Sequence, residues 1–213
     1  MNRWLTLLAM LLVAGCASKP QAPDWQVDAH GTLQRYEQAY LAGDARAADA
    51  EFARARRDLS ATGQASMVAR AELTRCALQV ASLVLEGCPG FESLRADAGP
   101  SERAYADYLQ GSAADAALLP ATHRTVMAAN GSAAVLAQVA DPLSRLVAAG
   151  VVFRAGRADP QLLQVAVDTA SAQGWRRPLL AWLGVQLKLA EQRGAADEAE
   201  RLRRRIALAG GTA

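Results

Sequence analysis

Residues 32–60 read TLQRYEQAYLAGDARAADAEFARARRDLS, and this stretch decides the fold. Leu33, Tyr36, Tyr40 and Leu41 recur at the spacing of one face of an α-helix, and Gly43-Asp44 interrupts the pattern. Beyond the interruption, Ala48, Phe52, Ala55 and Leu59 form a second apolar stripe at helical spacing. Glycine ends a helix readily because it adopts a left-handed backbone without a Cβ clash. Aspartate starts the next helix by accepting hydrogen bonds from the N–H groups that the first turn leaves free. Two amphipathic helices joined this closely bury their stripes by folding back on each other. The segment reads as an antiparallel helical hairpin.

The same signals extend outward. A third helix follows from about residue 64, carrying Met67, Ala71, Leu73, Ala77, Val80 and Leu83. Gly99-Pro100-Ser101-Glu102 opens a short helix and Gly111 ends it; residues 112–119 are a further short segment before Pro120. Helical stretches are expected over about 121–130 and 132–139. Asp141-Pro142 and Asp159-Pro160 each place a capping carboxylate before a proline, whose missing N–H costs nothing in a first turn. They predict helices over about 142–153 and 161–173, the latter closed by Gly174. Residues 175–193 are rich in Leu and Trp, with Leu179, Leu180, Trp182, Leu183, Leu187 and Leu189; Gly194 breaks the stretch, and 195–209 form a terminal amphipathic helix. No strand-like alternation occurs from Trp25 onward. The 49 alanines among 213 residues agree, since alanine is the best helix former and a poor strand former. The expected fold class is all-α: stacked antiparallel helical hairpins, an irregular solenoid or bundle, forming a single domain over residues 25–213.

Within this pattern the 32–60 window resembles a tetratricopeptide repeat. The resemblance rests on Gly43-Asp44 between the helices, Ala48 five residues after Gly43, Phe52 four later and Ala55 three later. The first helix departs from that family, with no Trp and no Leu-Gly pair, and Ser60 stands where the repeat usually has proline. A solenoid needs at least three such units, and no second clean copy is present. What the resemblance implies is a hairpin array that presents a groove to a partner protein.

The N-terminus reads as an address. Met1-Asn2-Arg3 is positive, and residues 4–15 are an apolar run of 12 without a charge. A spanning helix needs roughly 20 apolar residues, so the run reads as the core of a secretory signal. It ends in Val13-Ala14-Gly15-Cys16, which resembles the bacterial lipobox. That resemblance implies cleavage after residue 15, a diacylglycerol on the Cys16 thiol and acylation of the new amino terminus, leaving 198 residues. An ordinary signal peptide with a coincidental cysteine is the alternative. Ala17, in place of the Asp that retains many proteobacterial lipoproteins in the inner membrane, implies an anchor in the inner leaflet of the outer membrane. Residues 16–24 form the lipidated cysteine and a tether with two prolines. At roughly 3.3 Å per residue its last eight residues reach about 26 Å.

With Cys16 acylated, Cys76 and Cys88 remain, and an exported chain meets an oxidising compartment. A straight helix from 76 to 88 would separate them by about 18 Å, whereas a disulfide needs Cα atoms within about 7 Å. A Cys76–Cys88 disulfide is expected, and it requires the helix to stop by about residue 85 and the chain to double back through Glu86-Gly87. The alternative is two free buried thiols.

Chemistry-bearing motifs are sparse. A balance of 23 Lys+Arg against 21 Asp+Glu argues against nucleic-acid binding by phosphate neutralisation. No glycine-rich nucleotide loop occurs, and neither His30 nor His123 has a partner at metal-ligand spacing, so no cofactor or metal is expected. His123, between Thr122 and Arg124, reads as a helix-surface residue. Glu92-Ser93 resembles the Glu-Ser pair of lytic transglycosylases, but Leu94-Arg95-Ala96 lacks that family's continuation. The basic run 201–205 follows Asp197, Glu198 and Glu200 and reads as a solvated, ion-paired helix face. Trp175-Arg176-Arg177 is either an interaction surface or a core plug with flanking cations. The expected function is a non-catalytic protein-interaction or scaffolding lipoprotein of the cell envelope, its protein partner unidentified, with no catalytic residues assigned. The alternatives are a peptidoglycan-acting enzyme, or a regulator of one, and a carrier of a lipid or other apolar ligand walled by residues 175–189.

Overall fold

The computed structural model describes residues 24–211. Along them lie α1 (Asp24–Ala42), α2 (Ala45–Ser60), α3 (Ala65–Ala81), α4 (Pro89–Glu92), α5 (Pro100–Gln110), α6 (Ala121–Ala128), α7 (Ala133–Ala137), α8 (Pro142–Arg154), α9 (Pro160–Ala172), α10 (Arg176–Gln192) and α11 (Ala196–Gly210). Single 3-10 turns occur at Arg95–Asp97 and Ala116–Leu118. The chain is all-α, and among the described residues there is no strand. No helix among them is long and apolar enough to cross a membrane.

The first hairpin forms by the expected chemistry. Gly43 adopts φ +83°, a backbone that any side chain would strain. The Asp44 carboxylate accepts the Ala47 N–H at 3.0 Å. Asp141 and Asp159 likewise cap α8 and α9, accepting from the N–H groups of Ser144 and Leu162 at 2.7 Å each. The third helix is shorter than its pattern predicted. It ends at Ala81, and Leu83, expected inside it, lies beyond with φ +58°. The early end lets the chain reverse, and Cys76 and Cys88 come to 5.4 Å between Cα atoms, at disulfide distance.

Helices adjacent in sequence pair as antiparallel hairpins, α1 with α2, α9 with α10 and α10 with α11. Two further packings join distant segments, α3 against α8 and α1 against α10. A linear repeat array touches only its neighbours, so these two packings close the hairpins into a bundle. Two apolar cores result. The smaller lies between α1, α2 and one face of α3, around Tyr36, Phe52, Leu59 and Leu78. The larger lies between the rest of α3 and the helices from α5 to α11, around Val80, Leu109, Leu146, Leu162 and Trp182.

The last turn of α3 is the keystone. Gly150 of α8 lies so close that a Cβ there would sit 2.3 Å from the Val80 carbonyl oxygen. Nothing larger than hydrogen fits at that crossing. From the other side Trp182, wholly buried in α10, donates its indole N–H to the Ala81 carbonyl at 3.0 Å. The bond satisfies an acceptor that the helix end leaves without an intrahelical partner, and Phe153 meets the Trp182 ring edge-on at 5.7 Å.

Candidate binding trough along α3

Met67, Arg70 and Thr74 share one side of α3, and α1 and α5 both pack against this helix. Two concavities meet at Arg70 and Thr74, which line both. The first, about 440 Å³, is walled by Trp25, Val27 and Leu33 of α1 with Leu59 and Met67. The second, about 590 Å³, is walled by Leu73, Tyr105, Leu118, Leu119 and Leu143. Both volumes fall in the range of roughly 300–1,000 Å³ typical of ligand sites, and both open to solvent. Val27 and Leu118, one in each concavity, are 58% and 37% exposed. Among the described residues Leu208 is the other large hydrophobic so exposed.

Where the concavities meet, the Arg70 guanidinium contacts Glu102 at 2.7 Å. The hydrogen bond from Arg70 holds the Glu102 carboxyl below its ordinary range, so the pair stays ionised and mutually neutralised. The trough thus offers a largely apolar lining, interrupted by Thr74 and the ion pair, and no net charge at its ridge. Such a surface selects for hydrophobic groups rather than ions.

Behind the second concavity stands His123, where the structure corrects the sequence expectation. It is buried in α6, not exposed, with its ring 5.4 Å from that of Tyr105 and 5.0 Å from that of Tyr108. Burial pushes its pKa down to about 4, opposed weakly by Asp141. The neutral ring therefore packs as an aromatic spacer supporting the Tyr105 wall at neutral pH. His30 lies at the other end, lining the first concavity.

Glu92 is not brought into the trough. It is ion-paired with Arg95 at 2.8 Å and accepts from the Gln110 amide at 2.8 Å. The Arg95 hydrogen bonds hold its carboxyl below the ordinary range. A lone catalytic acid needs the reverse, a proton retained at neutral pH through burial. Arg95 also reaches Asp107 at 2.9 Å, so the cluster pins α4 to α5. Among the described residues no group of three or more His, Cys, Asp and Glu side chains is placed to hold a metal ion.

Trp175 and Arg177 pack toward the first hairpin, and the exposed Arg176 reaches its turn. Trp175 is half-buried at the N-cap of α10 and packs against both cores. Arg177 donates to the Tyr40 carbonyl at 2.8 Å and lies over the Tyr40 ring at 4.3 Å from its centre. Arg176, the exposed member, reaches the Gly43 carbonyl at 3.5 Å. The trio fastens α10 to the α1–α2 turn. In the terminal helix, Arg203 bridges Glu191 at 2.6 Å and Glu200 at 3.1 Å, and Arg204 meets Glu200 at 3.6 Å.

Cys16, with the expected leader and the expected tether up to residue 23, lies outside the described residues. The trough itself escaped sequence reading, although it left one signal. Val27 is apolar at a position off the inward stripe of α1, and Leu118 is apolar in a short irregular segment. Compared with protein-family models, with curated proteins and with solved structures, the chain matches none of them.

Proposed function

We propose that this chain is a lipoprotein anchored through Cys16 at the periplasmic face of the outer membrane, where its helical body docks another envelope protein without catalysing a reaction. The observation that carries the docking is the apolar trough along α3, with Val27 and Leu118 exposed in it. An open channel beside a helix suits an amphipathic helix or extended apolar segment, which lays its hydrophobic face in the groove and leaves its polar face wet. The anchor rests on the charged start, the apolar run and Val13-Ala14-Gly15-Cys16.

Two experiments test the reading. A photoreactive amino acid is placed in turn at Val27, Leu118 and, as a remote control, Leu208, and the cells are irradiated. The expected result is one shared envelope protein captured from Val27 and Leu118 but not from Leu208. The same products from all three sites, or none, would remove the docking role. Metabolic labelling with a radioactive fatty acid then compares wild type with Cys16→Ala. Label is expected in the former only, and equal labelling contradicts the anchor.

A further inference from the structure

The trough opens where the chain enters the fold. Trp25 and Val27, at the start of α1, are wall residues of the first concavity, and Cys16 lies nine residues before Trp25. At roughly 3.3 Å per residue, nine residues reach about 30 Å. The α3 floor from Met67 to Ala77 is about 15 Å long at helical rise. A group carried on Cys16 can therefore reach the whole trough. The lining favours a group without charge, since apolar side chains predominate over Thr74, Ser101 and His30, and Arg70 at the junction is paired with Glu102. Val27 and Leu118 leave apolar surface open to solvent, one in each concavity, for an acyl chain to cover.

We propose that the trough shelters one acyl chain of the lipid on this protein's own Cys16 whenever the anchor is outside a bilayer. The proposal rests on the anchor reading and is independent of any protein partner. Because the chain is tethered, docking is intramolecular, and the short linker supplies an effective concentration in the millimolar range. A bilayer buries the same methylenes at least as well and accommodates every acyl chain at once, so membrane insertion empties the trough. The surface proposed for partner docking is then free only on anchored molecules.

The test uses the full lipidated protein from cells fed a fatty acid with a terminal diazirine. One portion is diluted from detergent to below its micelle concentration, and another is placed in vesicles of phosphatidylethanolamine and phosphatidylglycerol. Both are irradiated, digested with trypsin and mapped by mass. In the diluted portion, adducts are expected on peptides 58–70 and 104–124, joined to the peptide that begins at residue 16. They should be at least tenfold weaker in vesicles. Thr74→Trp, which fills the junction, and Leu118→Glu, at an exposed wall position, should each lower the yield while leaving the helical circular dichroism unchanged. Adducts scattered over the surface, formed between molecules, equally strong in vesicles, or unaffected by both variants would overturn the proposal. So would trough adducts carrying a fatty acid not attached to residue 16. A protein without any label removes the anchor reading together with this one, whereas a labelled protein without trough adducts removes this one alone.

Discussion

The first hairpin and the bundle behind it are held together by different means. Between α1 and α2 the contacts are aromatic and charged. Tyr36 packs on Phe52 at 4.9 Å and beside Tyr40 of its own helix at 5.9 Å, Arg35 pairs with Glu51 at 3.0 Å, and Arg75 of α3 lies over the Phe52 ring at 5.0 Å. Around α8 and α9 the buried residues are small or aliphatic, among them Ala148, Ala149, Val151, Ala166 and Ala170, and the α3–α8 crossing needs a glycine. In the hairpin, rings supply much of the buried volume beside Ala48 and Ala55, whereas around α8 and α9 short side chains fill the core only where backbones come close. The two regions should fail in opposite ways. The bundle is most sensitive to added atoms at its α3–α8 crossing, with Trp182 its largest ring to lose, whereas the hairpin is sensitive chiefly to removed rings.

The largest effect is expected from Gly150→Leu. Its Cβ alone would overlap the Val80 carbonyl, a backbone atom that cannot move without shifting α3. A loss above about 4 kcal/mol, or failure to fold, is expected in urea titration. A loss under about 1 kcal/mol would show that the crossing is looser than described. Trp182→Ala comes next, at about 4 kcal/mol, because it empties the largest fully buried side-chain volume and orphans the Ala81 carbonyl. Trp182→Phe should cost less, about 2 kcal/mol, because it keeps a six-membered ring in the site while giving up the N–H bond and the rest of the indole.

Phe52→Ala should cost about 3 kcal/mol, but locally. Amide exchange is expected to quicken in α1 and α2 while α8 and α9 keep their protection. Uniform acceleration would mean that the hairpin and bundle unfold as one unit. Acid offers a milder probe within the bundle. His123 is neutral when folded, with its pKa lowered to about 4, so the unfolded chain binds more protons between about pH 6.5 and 4. Its stabilising contribution is complete above the unfolded pKa and is lost as pH falls through that window. His123→Phe should flatten this acid loss, read from melting temperature against pH, and an unchanged slope would assign it elsewhere.

Local signals in the sequence survived into the structure because local chemistry decides them. Asp44, Asp141 and Asp159 announce their caps through the next three residues alone. Long-range packing left fainter marks. Gly150 sits in Ala-Ala-Gly-Val-Val, where nothing distinguishes a crossing point from an ordinary apolar run. His123 has polar neighbours in sequence that suggest the surface, whereas Val126, one helical turn on, is buried on the same face. Trp175 and Arg177 could not be assigned without knowing that Tyr40 lies opposite. The trough was invisible for a related reason. It is a gap between helices distant in sequence, and it is marked only by two apolar residues that no stripe required.

The docking role of that trough is tested most directly by the yield of in-cell photocrosslinking from position 118, wild type against Thr74→Trp, at equal protein level. The account predicts at least a tenfold fall in the captured envelope protein, with fatty-acid labelling through Cys16 unchanged. Equal capture by both proteins would contradict it.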